Sequence, residues 1–354
     1  MLTRTLVRAF LVAVACLMMV ASLPAQINLL VADRTNGAVT VLDHGLTVVG
    51  SVTLPSSPAA DATGVALNPA QTLAAVSSFN TNRIDFLDLT VSPPVVSGAS
   101  VTFTSPALFA EDMVFSPDGA CLLVSDGRPG AVASVDVVNR VVVSSLPTVQ
   151  SQAVEFIPNN PNNIVLTADQ VGNVIHVLTL GAGCTLTDTG TTVATPGTGP
   201  RNVTALPGGT VALVSHQDGT IGILSISGAT VSFTGSFSLG AADPVNRVQS
   251  IALAPSLGQA YAYQCETGNV EILNIDSSDN VTDSGVGVPG PISSLCLLGV
   301  KQVATDGRSV FVSAGTNLSA INLIAHKVTA TYAPGSTLAG IAVKGSFPVH
   351  KPHH

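Results

Sequence analysis

A single pattern returns seven times along the 354-residue chain: an apolar strand, a polar turn, then a second strand ending in a small polar residue. It reads VADRTNGAVTVLD at 31–43, VSSFNTNRIDFLD at 76–88 and VSDGRPGAVASVD at 124–136. It continues as TADQVGNVIHVLT (167–179), VSHQDGTIGILS (214–225), AYQCETGNVEILN (262–274) and VSAGTNLSAIN (312–322). The closing residues Asp43, Asp88, Asp136, Thr179, Ser225, Asn274 and Asn322 stand 43 to 49 residues apart. That period is the length of a four-stranded propeller blade. An open β-solenoid is the alternative, but its repeats are much shorter.

Local signals agree. Residues 38–42 and 131–137 are rich in valine and alternate in character, as half-buried strands do. Asn36-Gly37 and Asp218-Gly219 suit hairpin turns that need positive φ. Pro-Asp-Gly at 117–119 is a turn in which Pro presets φ and Gly takes the left-handed position. A further strand precedes most units, for example GVALNP (64–69), MVFSPDG (113–119), AVEFIP (153–158) and VKQVATDG (300–307). A fourth strand follows, as in VVVSSL (141–146) and KVTATY (327–332). The first unit lacks a strand before it, and LAGIAV (338–343) lacks a unit after it. The chain is therefore expected to be all-β, a seven-bladed β-propeller with four antiparallel strands per blade. Its ring is closed by the C-terminal strand joining the N-terminal blade, which removes exposed sheet edges.

Phe115-Ser-Pro-Asp-Gly119, Leu123-Val-Ser125 and Ala133-Ser-Val-Asp136 resemble the YVTN-type repeat of exported and surface propellers. The resemblance covers nearly all of the chain after the leader and implies the same seven-bladed fold. In the lactonase branch of that superfamily a Pro-Arg-His segment precedes an inner strand. Here Pro200-Arg201-Asn202 holds that place: Arg201 matches, and Asn202 stands where the branch has histidine. An amide cannot shuttle protons near neutral pH, so the likeness implies a binding propeller before a hydrolase.

Arg4 and Arg8 precede an apolar run from Ala9 to Val20, followed by Leu23-Pro24-Ala25. This is the pattern of a secretory signal cleaved near Ala25. It predicts a signal peptide over 1–25, one propeller domain over 26–346 and a disordered tail over 347–354. Lipid attachment at Cys16 is the runner-up. An exported protein, periplasmic, extracellular or at the cell surface, follows from the leader, with no membrane span in the mature chain.

Hydrophobic residues make up 46% of the chain, which excludes a disordered polymer. The net charge is −8, and removing the leader makes it more acidic, which argues against nucleic acid as a partner. The expected partner is a protein or a small-molecule ligand bound by a non-catalytic scaffold, with a cell-surface adhesion or assembly protein as a further alternative to the lactonase-like hydrolase. Four cysteines follow the leader, and an even number in an exported chain permits disulfides. Cys265 and Cys296 fall in successive loops on one face and form the preferred pair. Cys121 and Cys184 lie towards the opposite face in neighbouring blades, with buried free thiols as the competing reading.

Loops entering the inner strands share a face with loops joining second and third strands. The first set holds Asp61, Glu111, Asp112, Arg201, Asn202 and Arg247. The second holds Asp33, Arg34, Asp126, Arg128, Asp169, His216 and Asp218. Asp61, Asp112, Arg201, Asn202, His216 and Arg247 are the candidate ligand-binding residues, with Arg201 and Arg247 as an anion clamp or as rim ion pairs. Asp33, Asp126 and Asp169 occupy one repeat position, where Asp caps a turn. Asp43, Asp88 and Asp136 read as structural, and His176 as a strand residue on the opposite side. His44, His176, His216 and His326 lie in separate blades without paired-ligand spacing, so no metal is expected. No nucleophile elbow or phosphate loop occurs, so no catalytic residue and no cofactor is nominated.

Overall fold

The computed structural model describes residues 29–55, 61–103, 110–127, 130–147, 151–239, 247–292 and 301–345. Strands follow one another along the chain and pair antiparallel with their neighbours, giving seven sheets. Six are four-stranded. Blade one, for instance, runs Leu338–Val343, Leu29–Asp33, Ala38–Leu42 and Val48–Thr53 from the centre outward. The inner strands of blades two to seven are Ala62–Leu67, Ala110–Phe115, Ser151–Phe156, Pro200–Ala205, Val248–Ala254 and Val303–Thr305. Each inner strand touches the next, and blade seven touches blade one, so the ring is closed. The closure is the expected one. Leu29 pairs with Val343, Leu30 with Ala342 and Val31 with Ile341. Ser336 Oγ donates to Asp33 Oδ2 at 2.7 Å, which fastens the two ends of the chain at one rim.

Seven clusters of buried apolar residues occupy the seven blade-to-blade interfaces. Alternation divides each strand between two of them. Leu30, Ala32, Val39 and Val41 pack on blade two, while Leu29, Val31 and Leu42 pack on blade seven. This corrects one expectation: Ala38–Leu42 is buried at every position, not half-buried. A blade is covered on both faces by its neighbours, so alternation there separates two apolar interfaces, not core from solvent. Outer strands show the half-buried pattern instead, as Val48–Thr53 does. Within a buried side chain of this kind, truncation to Ala typically costs about 2–5 kcal/mol.

Blade two departs from the pattern. Its outer edge is broken into two short strands, Val95–Val96 and Val101–Thr102, that pair separately with Arg83–Asp88. The segment leading to them is Ser92-Pro93-Pro94, and proline cannot donate to a ladder. The turns behave as their residues require. Gly37 and Gly119 take φ of 58° and 73°. Asp136 Oδ1 accepts from Val138 N and Asn139 N, Asp88 Oδ1 from Thr90 N, and Asp43 Oδ1 from Thr47 N. These three aspartates are turn caps between third and fourth strands.

Cys121 and Cys184 are joined by a disulfide, which replaces the free-thiol reading of Cys121. It ties the turn before the outer strand of blade four to the second strand of blade three. Cys265 is disulfide-bonded as well. Cys296, Cys16, Arg128, the leader and the tail after 345 lie outside the described residues. Among the described residues no helix is long and apolar enough to cross a membrane.

Candidate functional site: the channel mouth

The site begins with a backbone irregularity repeated around the ring. In blade five Pro200 pairs with His216 and Asn202 with Ser215, so the ladder register skips Arg201. The same bulge skips Gln152 and Gln249. In blades two and three the pairs Thr63-Gly64 and Glu111-Asp112 each face one residue. A bulge re-aims the side chain it frees. A serine in the second strand meets the displaced amide: Ser77, Ser125 and Ser215 Oγ accept from Gly64, Asp112 and Asn202 N at 2.7, 3.2 and 3.1 Å. The recurrent Val-Ser of the repeat, at 76–77, 124–125 and 214–215, therefore serves the bulge.

The bulged position lies two residues before Val65, Met113, Val154, Val203 and Ile251, which pair with the second strands. In blade seven the same offset from Val303 falls on Lys301, and in blade one the offset from Ile341 falls on Ala339. The column thus reads Ala339, Thr63, Glu111, Gln152, Arg201, Gln249, Lys301. The whole chain has only four glutamates and four lysines. Glu111 and Lys301 occupy this column, and Glu155 and Glu266 lie against its members.

Arg201 is 3% exposed, and its Nη1 donates to Gln249 Oε1 at 2.6 Å. Desolvation, and then the nearby Arg247, lower its pKa to about 10, against the pull of Glu111 and Glu266. It stays a cation at neutral pH. Arg247 Nε lies 3.3 Å from Glu266 Oε1, and its backbone N–H donates to Glu266 Oε2. Desolvation raises the Glu266 pKa, while Arg247 and Arg201 hold it back. Glu111 and Gln152 meet beneath Gly127, where a Cβ would come within 2.5–2.7 Å of their terminal atoms. Replacing Gly127 with alanine is expected to displace both side chains and leave the fold intact. The melting temperature should move by only a few degrees, as calorimetry on the variant would show.

Lys301 reaches across the ring. Its Nζ is 3.2 Å from Glu155 Oε2 and 3.7 Å from Asp112 Oδ1, on blades four and three. Each is three blades from blade seven, so the side chain spans the channel. Asp112 also accepts from Met113 N at 2.9 Å and Val154 N at 3.3 Å. Desolvation raises the pKa of Asp112 and of Glu155, and Lys301 opposes it in both. The two carboxylates raise Lys301 in turn, outweighing its own desolvation.

The six candidates separate on this geometry. Arg201 and Arg247 converge with Glu111 and Glu266. Asp112 belongs to the Lys301 triad. Asp61 is held by Arg34 in a two-pronged pair, at 2.5 and 2.6 Å. Asn202 is fully buried and its Oδ1 accepts from Thr204 Oγ1. His216 is fully buried against Gly197 and Gly222, with Nδ1 3.2 Å from Thr220 O. Desolvation lowers its pKa, so the ring is neutral at pH 7. Asp33 and Asp169 cap turns through Asn36 N, Val171 N and Gly172 N. His176 lies 3.3 Å from Asp169 Oδ2 and so faces that loop residue, not the opposite side. The two are diagonal neighbours across the hairpin, since Thr167 opposes His176 and Asp169 opposes Val174.

Gln152, Gln249, Lys301, Glu155 and Glu266 were not singled out from the sequence. A signal was present: a polar residue recurs two places before the apolar centre of six of the seven inner strands, and Glu155 interrupts the run Val154-Glu155-Phe156.

Fold and site together define a seven-bladed β-propeller with a charged, buried channel mouth. No protein-family model matches the sequence, and no curated protein matches it. Solved structures share the fold. A functionally unknown protein from Desulfotomaculum acetoxidans superposes with TM-score 0.80 at 20% identity, over 90% of this chain and 99% of the other. The periplasmic gluconolactonase of Pseudomonas aeruginosa gives 0.69 at 16% identity, covering 90% and 98%. A putative 6-phosphogluconolactonase from Bacteroides uniformis gives 0.72 at 12% identity, covering 90% and 100%. The structural neighbours thus include lactonase-like propellers.

Proposed function

We propose that this chain is an exported propeller that binds a small polar ligand in the mouth of its central channel. The observation that supports it is the gathering of scarce charges into one column of bulged, buried positions. Such groups are costly to bury and are kept where they meet one another or a ligand. Binding is favoured over turnover because the acid–base candidates are otherwise engaged: His216 on Thr220, Asp112 on Lys301. The leader sequence supports export.

A second reading, lactone hydrolysis, is favoured by the lactonase-like neighbours and by Glu266 and Glu111 lying in the field of Arg201. There Arg201 would hold the carbonyl oxygen and a carboxylate would activate water. One experiment separates the readings. Purified wild type and Arg201→Ala are titrated with sugars, sugar acids and lactones and assayed for lactone hydrolysis. Binding without hydrolysis, weakened about 10- to 100-fold in Arg201→Ala, is the expected result; a charged hydrogen bond contributes about 1.5–3 kcal/mol. Hydrolysis by the wild type that the variant lacks replaces the binding reading with the second.

A further inference from the structure

Building on the ligand-binding reading above, we infer that the channel mouth selects a neutral polyhydroxylated ligand and rejects phosphorylated or otherwise anionic ones. Three observations carry this. The charges are already matched: Arg201, Arg247 and Lys301 face Glu111, Glu266, Asp112 and Glu155, one more acid than base. An added anion would enter a field of slight negative excess, with each cation already answered by a carboxylate.

Next, a buried acceptor awaits a donor. Gln152, a member of the column, is 5% exposed, and its Oε1 has no hydrogen-bond partner among the described residues. Beneath Gly127 it is the Gln152 Nε2 that lies beside the Glu111 carboxylate, so Oε1 is the atom left to accept. A phosphate or carboxylate brings only acceptors and leaves it unanswered, whereas a hydroxyl donates and accepts at once. Last, the side chains are of the planar, two-pronged kind. Arg201, Gln249, Gln152 and Glu111 each present two polar atoms in one plane, and adjacent hydroxyls on a carbon chain match that spacing. A cationic ligand would have to displace Lys301 or Arg247, which already hold Glu155, Asp112 and Glu266.

The test is isothermal titration of the full chain with matched probes: glucose and glucose 6-phosphate, glucono-1,5-lactone and its 6-phosphate, and glucosamine. The neutral member of each pair is expected to bind at least about 10-fold tighter than its phosphate ester and than glucosamine. In a Glu111→Gln, Glu266→Gln double variant, checked for folding by circular dichroism, the ratio of neutral probe to phosphate ester should shrink to about threefold or reverse. A phosphate ester or glucosamine binding as tightly as the neutral probe in wild type overturns the charge argument and leaves channel-mouth binding standing. No binding of any probe, with Arg201→Ala indistinguishable from wild type across the wider panel, overturns both.

Discussion

Replacing Lys301 with methionine is expected to destabilise the protein by about 3 kcal/mol at pH 7, the low end of what breaking a buried ion pair costs. The low end applies because 28% of the Lys301 side-chain surface stays exposed within the channel. The loss comes from what is left behind. Asp112 and Glu155 are desolvated, and in the variant only backbone N–H donors oppose that rise in their pKa. The sign with pH follows. A carboxyl whose folded pKa lies above its unfolded value binds more protons in the folded state. Stability then falls as pH rises from the unfolded carboxylate range, about 4, through the folded pKa. The deficit should therefore be largest at neutral pH and shrink towards pH 4.5. Urea unfolding of wild type and variant at pH 4.5 and 7.5 measures it. Adding Asp112→Asn and Glu155→Gln to Lys301→Met should recover most of the loss at pH 7, since uncharged partners leave no buried charge. A deficit that stays the same at both pH values would sink the account.

The second large effect is expected at the Cys121–Cys184 disulfide. The bridge closes a sequence separation of 63 residues. Chain entropy for a loop of that size corresponds to about 4 kcal/mol, with measured bridges spanning roughly 2–4 kcal/mol. Cys121→Ser with Cys184→Ser should lower the urea midpoint accordingly, and reduction of the native protein, which also opens the Cys265 disulfide, should lower it at least as much. The fold should survive, because other contacts hold the same turn. Ser134 Oγ donates to Cys184 O at 2.6 Å, and Leu186 N donates to Ser144 Oγ at 3.1 Å. The bridge also joins neighbouring blades far from the closing strand. Its loss should thus speed opening between blades three and four, which hydrogen exchange in Cys121–Asp126 and Leu186–Ala194 would register. Unchanged stability on reduction would refute the constraint.

The channel floor and the mouth also explain each other. Lys301 spans the ring at the same repeat position that supplies Arg201 and Glu111. The side chain therefore ties blades three, four and seven across the channel. A propeller ring holds its blades by apolar interfaces between neighbours, and those interfaces say nothing about residues three blades apart. The triad adds that cross-ring link.

Much of this was legible in the chain alone. Blade number, strand order and ring closure follow from local signals: runs of Val and Ala of strand length, Gly and Asp at the turns, and a leftover strand at 338–343. Each signal acts within about fifty residues, and every blade must meet the same packing demand, so repetition reinforces it. The turn aspartates Asp43, Asp88 and Asp136 were legible for the same reason, because a side chain caps a backbone amide only a few positions away. The burial of Ala38–Leu42 on both faces was not, since alternation of two apolar faces resembles alternation of core and solvent until the neighbouring blades are placed. Nor was the division of the candidates. Asp61 went to Arg34, Asp112 to Lys301, and Arg201 to Gln249, partners 27, 189 and 48 residues away. Periodicity fixes which blade a residue belongs to and which way its strand runs. Which side chains meet over the channel depends on bulges, on side-chain reach and on the diameter of the closed ring, and those exist only once all seven blades are in place.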